Sequence, residues 1–285
     1  SGIIRSPDHT IEEMVRVARM LRGEHRFAGY IHLKIIPNAA PELVEEAGLY
    51  ADRLSTNIEL PTDGGLAALA PDKNPAEIRT AMARVRRRWL AAQPEGKTRA
   101  KRRAYSPAGQ STQVIVGADG ADDAAILRRS ASLYAGYGLK RVYYSAFSPI
   151  PDASARLPLV AAPLLREHRL YQADWLMRFY GYEAEEIAAA GQGGHLDLAI
   201  DPKLAWALAN RGRFPVDINA APRELLLRVP GLGVRTVERI LTTRRHTRLR
   251  LADLARLRGS LATARPFIVA ADWQPGALTD AARLR

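Results

Sequence analysis

The chain has 285 residues, 47% of them hydrophobic, enough for one large or two moderate domains with a sizeable core. Its 42 Lys and Arg against 30 Asp and Glu give a formal charge of +12, so the partner to look for is acidic. The absence of cysteine excludes disulfides and cysteine metal sites in the chain as given, no run approaches the ~18 apolar residues of a membrane span, and the first residues lack the regions of a signal peptide, so the sequence reads as a cytoplasmic protein with no membrane partner.

The opening SGIIRSPDHT has no initiator Met and reads as the start of a fragment. From residue 9 to about 150 the pattern alternates between helix and strand. Thr10 and Glu13 have capping-box spacing, and Ile11, Met14, Val15, Ala18 and Leu21 follow at helical period. GYIHLKIIP (29–37) predicts a strand, and Pro41 can open a helix that runs to about Asp52. RLSTNIELP (53–61) predicts a strand and 66–92 a helical region ending in ARVRRRW. The basic segment 93–109 reads as a loop, 111–118 as a strand, 121–136 as a helix and 140–147 as the last strand. Strands separated by helices of this length imply parallel βαβ units with right-handed crossovers.

Two of these strands are not apolar throughout, as strands covered on both faces usually are. Leu54, Thr56, Ile58 and Leu60 fall on one face of 54–60 and Ser55, Asn57 and Glu59 on the other; His32 and Lys34 share a face opposite Ile31, Leu33 and Ile35. A polar inner face suits a barrel whose lumen holds a polar ligand; an edge strand whose polar face meets water gives the same alternation. The run 84–103 holds nine Lys and Arg with Glu95 as its only acid, and reads either as a solvated face or as a nucleic-acid contact.

A proline-rich stretch, 148–163, leaves the α/β part and leads into a helix over 163–180 that carries Trp175, Phe179 and Tyr180. GQGGHLDLAIDP (191–202) reads as a loop containing His195, and Pro202 can start a short helix to about Asn210. The six histidines show no metal-ligand spacing, and no repeat of 20–50 residues is present. A compact unit follows from Phe214 to about Val269.

Within it, LLLRVPGLGVRTVERIL (225–241) breaks two apolar runs with Pro230, Gly231, Leu232 and Gly233. Pro230 and Gly231 stop the first helix, the two glycines allow backbone angles other residues resist, and Val234, Val237, Ile240 and Leu241 give the second helix an apolar stripe. Such a turn aims backbone amides at one spot, where a helix N-terminus carrying roughly +0.5 charge suits a phosphate. Arg235, Thr236 and Arg239 add side-chain donors beside it. A plain helix–helix turn would share the Pro-Gly-x-Gly pattern, but residues 211–265 also hold thirteen arginines against four acidic residues. That concentration points to backbone contacts with double-stranded DNA or another nucleic acid, salt-dependent and blind to sequence.

Val229 to Val234 resembles the helix-hairpin-helix motif, and the flanks DINAAPRELL (217–226) and LRLADLARL (249–257) are similar to the competence-protein type of that domain. Its second hairpin would lie near LRGSLATA (257–264), which lacks Gly-x-Gly. More broadly, YIHLKIIPNA, ADRLSTNIELPT, SPAGQSTQVIVGAD and LKRVYYSAFSPIPD together resemble a radical S-adenosylmethionine family of DNA modification or repair proteins, over residues 1 to about 270.

The resemblance implies an α/β fold: a partial (β/α) barrel (1–150, strands 3–6 of the family's barrel), a connector (151–212), an all-α helix-hairpin-helix domain (213–270) and a tail (271–285). It implies a [4Fe–4S] cluster on Cys-x3-Cys-x2-Cys that binds S-adenosylmethionine and cleaves it to a 5′-deoxyadenosyl radical; those cysteines would lie upstream of this chain. Ser1 and Gly2 would then approach the methionine amino group, Ser55, Asn57 and Glu59 would face the ribose and methionine, Gln113 to Gly117 would lie beside the adenine, and Lys34 and His32 would line the same lumen. A strand missing upstream would leave strand 30–36 with an open edge. The alternative reading is a non-catalytic nucleic-acid-binding protein with a decayed barrel.

Overall fold

The computed structural model describes residues 3–93, 104–151 and 154–276. The chain divides into two compact units, residues 1–121 with 129–163 and residues 122–128 with 164–285.

In the first unit, α1 (Pro7–Gly23) starts earlier than the Thr10–Glu13 spacing predicts. Ser6 is the N-cap, its hydroxyl accepting from the His9 amide at 3.1 Å, and Pro7 fills the first helical position, where a missing N–H costs nothing. Thr10 is instead buried, its hydroxyl donating to the carbonyls of Ile4 at 3.0 Å and Ser6 at 2.8 Å. Then follow β1 (His32–Lys34), α2 (Pro41–Tyr50), β2 (Arg53–Ser55), α3 (Asp63–Leu69), α4 (Pro75–Ala91), β3 (Gln110–Val116), α5 (Asp123–Tyr137), of which residues 123–128 fall in the second unit, and β4 (Arg141–Ala146). The helical region expected over 66–92 is two helices, because Asn74 caps α4 by accepting from the Ala76 amide and Pro75 opens its first turn.

The four strands form one parallel sheet in the order β1-β2-β3-β4. The ladder of β1 and β2 is short, three residues each, and pairs Lys34 with Ser55, which in turn pairs with Ser111 of β3. β1 lies at an edge of the sheet, and His32 there is exposed. The stripe Ile11, Val15 and Ala18 of α1 packs with Val44 and Ala47 of α2, with Ile31, Ile35 and Leu54 beneath. Leu54, Thr56, Ile58 and Leu60 are all buried, as the alternation of that segment predicts.

The second unit contains α6 (Leu164–Tyr180), α7 (Ala184–Ala188), α8 (Pro202–Ala209), β5 (Val216–Asp217), α9 (Arg223–Arg228), α10 (Val234–Thr243), α11 (Leu251–Arg256), α12 (Leu261–Ala264) and β6 (Ile268–Val269). The strand pair β5–β6 is parallel and joins the two ends of the 214–269 segment, which the helical pattern there does not foretell. Its core is an edge-to-face run of rings: Tyr182 to Trp206 at 5.4 Å, Trp206 to Phe214 at 6.4 Å and Phe214 to Phe267 at 5.2 Å between centroids. Asp123 is buried in this unit and satisfied by Arg166 Nε at 2.7 Å and the Leu196 amide at 2.9 Å. His195, at 3.6 Å from the same carboxylate, lies in the 191–201 loop, where the sequence places it. Among the described residues, no helix is long and apolar enough to cross a membrane.

Candidate functional site

The turn between α9 and α10 is built by two unlike glycines. Gly231 has φ +80°, and a Cβ there would lie 2.8 Å from the Ser260 carbonyl oxygen, so only glycine fits. Gly233 has φ −87° and ψ 164°, ordinary extended backbone, and a Cβ there would meet only the Tyr180 hydroxyl at 3.6 Å. The expectation that both glycines supply unusual backbone angles therefore holds for Gly231 alone. Pro230 and Leu232 are buried and anchor the turn in the core.

Gly233 is the N-cap of α10, and no side chain caps it. The first amide of the helix with a partner is that of Val237, donating to the Gly233 carbonyl at 2.9 Å. Among the described residues, no acceptor meets the amides of Gly233, Val234 and Arg235, which leaves the positive end of the α10 dipole bare.

The side chains beside this end take different roles. Arg235 is exposed, and among the described residues nothing pairs with it. Arg239, one turn on along the same face, is exposed too and spends one N–H on the Leu257 carbonyl at 3.3 Å. Thr236 is buried, and its hydroxyl donates to the Arg258 carbonyl at 3.1 Å, tying α10 to the 257–260 turn. The Ser260 amide donates to the Gly231 carbonyl at 3.1 Å, so this second turn, without its own Gly-x-Gly, braces the first. Arg245, Arg248, Arg250, Arg256 and Arg258 are all exposed in the same segment.

Two supports of the turn are not visible in the sequence. Lys203 of α8 is buried and donates from Nζ to the Leu232 carbonyl at 2.6 Å, with the Tyr180 ring 4.7 Å away. Burial pulls its ammonium from 10.5 down to about 7, against the opposing pull of Asp201. Helical period marks the apolar faces of α6 and α8 but not which turn they support.

In the first unit, the structure brings Lys34, Asn57, Glu59 and Gln113 together at the C-terminal end of the sheet. Asn57 Nδ2 donates to Gln113 Oε1 at 3.4 Å. Glu59 rejoins the sheet after the ladder of β2 has ended, its amide donating to the Gln113 carbonyl at 3.2 Å, and holds the left-handed φ of +61°. That backbone is strained for a side-chain-bearing residue. Its carboxylate pairs with Lys34 Nζ at 3.6 Å and with Lys73, a partner the sequence does not flag because it comes from the loop before α4. A cavity of about 140 Å³ opens here, walled by Lys34, Asn57, Asp72, Lys73 and Glu77 among others. Ser55 is buried below, within the ladder. Gly117, with φ +80°, turns the chain just after β3. Ser1 and Gly2 lie outside the described residues. Of the basic run, 94–103 also lie outside them, while Arg86 donates to the Gly136 carbonyl and Arg88 stands 3.8 Å from Glu45.

Among the described residues, no group of three or more His, Asp or Glu is placed to hold a metal ion. No protein-family model, no curated protein and no solved structure matches the chain.

Proposed function

We propose that the chain is a nucleic-acid-binding protein whose second unit grips the sugar–phosphate backbone at the N-terminus of α10, in the manner of a helix-hairpin-helix. One observation carries this reading: among the described residues, the amides of Gly233, Val234 and Arg235 meet no acceptor, and the exposed Arg235 side chain beside them has no partner. A phosphate there would accept two or three amide hydrogen bonds and one guanidinium, a charge-assisted set. The contact reads no base, so affinity depends on salt rather than sequence.

The test is binding to a duplex across a salt series, followed by fluorescence anisotropy. Arg235→Ala is expected to weaken binding equally for unrelated sequences and to reduce the slope of log K against log salt by about 1. An unchanged slope would remove Arg235 from the grip.

The larger reading, a radical S-adenosylmethionine enzyme acting on DNA with a barrel built from the first unit, rests on the resemblance of the sequence phrases. A [4Fe–4S] cluster is held by thiolates, and the chain as given has no cysteine, so its residues do not fit the cluster. The strand-end group fits the remainder of such a ligand better: Lys34 and Lys73 would meet a carboxylate, Glu59 an ammonium, and Asn57 and Gln113 hydroxyls or ring nitrogens. A Cys-x3-Cys-x2-Cys encoded in frame upstream of Ser1 supports the enzyme. A stop codon there supports the non-catalytic binder.

A further inference from the structure

The face of α6 beside the turn carries aromatic surface that the backbone grip does not use. Trp175 and Phe179 are 53% and 44% exposed, although large rings usually contribute to a core. They lean on each other with centroids 4.4 Å apart and planes tilted by 51°. The Arg178 guanidinium lies 4.8 Å from the Phe179 ring and donates to the buried Asp174 at 2.8 Å, which fixes the cluster on the helix.

Next to Trp175 is a cavity of about 280 Å³, lined by Gln172, Trp175, Leu176, Tyr180, Asp201 and Lys203 among others. Its far wall is the wall of the phosphate turn: Tyr180 reaches Gly233, and Lys203 holds the Leu232 carbonyl. From Trp175 to Tyr180 is five residues, about 7.5 Å along the helix axis. A flat heterocycle on the Trp175 ring would thus sit one short step from a phosphate at the α10 amides. Gln172 and Asp201 at the rim offer an amide and a carboxylate to the edge of such a ring.

We propose that Trp175, Phe179 and the adjoining cavity form a stacking site for an unpaired nucleobase, so that the second unit takes single-stranded or locally opened nucleic acid in preference to closed duplex. The proposal rests on the backbone grip for the phosphate, while stacking supplies the preference. Every base has a π-face, so the site is tolerant of sequence, as the basic surface beside it is. In closed duplex the base faces are covered by their neighbours, and the platform has nothing to stack on.

The test compares oligo(dT) with a blunt duplex of equal length, at low salt, on the full chain. The wild type is expected to bind oligo(dT) more tightly and to lose tryptophan fluorescence on binding, a quench that Trp175→Phe abolishes. Trp175→Ala with Phe179→Ala is expected to weaken oligo(dT) binding about tenfold or more and to leave duplex binding within about twofold. Both side chains are exposed, so the double variant keeps its fold, and circular dichroism checks this. If the double variant binds oligo(dT) as well as wild type while Gly233→Ala weakens both ligands, the stacking site is wrong and the backbone grip stands. Equal losses for duplex and single strand also overturn the stacking site. If neither ligand binds, the backbone grip fails and the stacking site with it.

Discussion

At the scale of single residues, the two glycines of the turn separate folding from binding. Gly231 cannot carry a side chain: its φ of +80° and the Ser260 oxygen 2.8 Å from a Cβ both oppose one. Gly231→Ala is expected to lower stability by about 2–4 kcal/mol in urea unfolding. Gly233 has room for a methyl group, so Gly233→Ala is expected to cost about 1 kcal/mol or less. That methyl would stand among the bare amides, and loss of one amide–phosphate bond weakens duplex binding by about tenfold. A Gly233→Ala variant that binds duplex normally would remove this turn from the interface. The Pro-Gly-x-Gly pattern was legible as a stop between helices, and Arg235 as a donor. What was not legible is the division of labour. Composition does not say that Thr236 turns inward to Arg258, or that the second glycine has ordinary extended backbone and room for a side chain.

At the scale of elements, the turn is held by helices far from it in sequence. α8 places Lys203 under Leu232, and α6 places Tyr180 against Gly233. Lys203 titrates near pH 7 in the folded chain, below its ordinary value of 10.5, because burial disfavours the ammonium. The unfolded chain therefore holds the proton more tightly. Stability contributed by this group rises as pH climbs from about 7 towards 10.5, at about 1.4 kcal/mol per pH unit, and the full cost of the buried charge persists below pH 7. Lys203→Met removes that rise: the stability difference between wild type and variant, from urea melts at pH 7, 8 and 9, is expected to shift toward wild type as pH increases. A difference that stays level with pH would mean that Lys203 keeps its proton in the folded chain across this window. The start of α8 was readable from Pro202, whereas that of α4 was not: the helical pattern of 66–92 runs on through Pro75, where α4 begins. The short ladders of β1 and β2 were not, because alternation continues in 56–60 after the ladder pairing has stopped. There the chain bends through Glu59, and no local residue signals that turn.

At the scale of the molecule, charge is the organising quantity. Residues 211–265 hold thirteen arginines and four acids within a chain of net charge +12. The excess is concentrated in that segment, while at the strand ends of the first unit Glu59 is paired with Lys34 and Lys73. A field of this kind would draw a polyanion to the segment before any specific contact forms. Selective 15N-glycine labelling reports directly on whether the polyanion then reaches the turn, since 21 glycines are distributed along the chain. Titration with duplex DNA at low ionic strength is expected to shift the amide signals of Gly231 and Gly233, to leave Gly23 and Gly136 unmoved, and to be reversed by added salt. Signals of Gly231 and Gly233 that stay fixed while DNA is bound would contradict the backbone grip at α10.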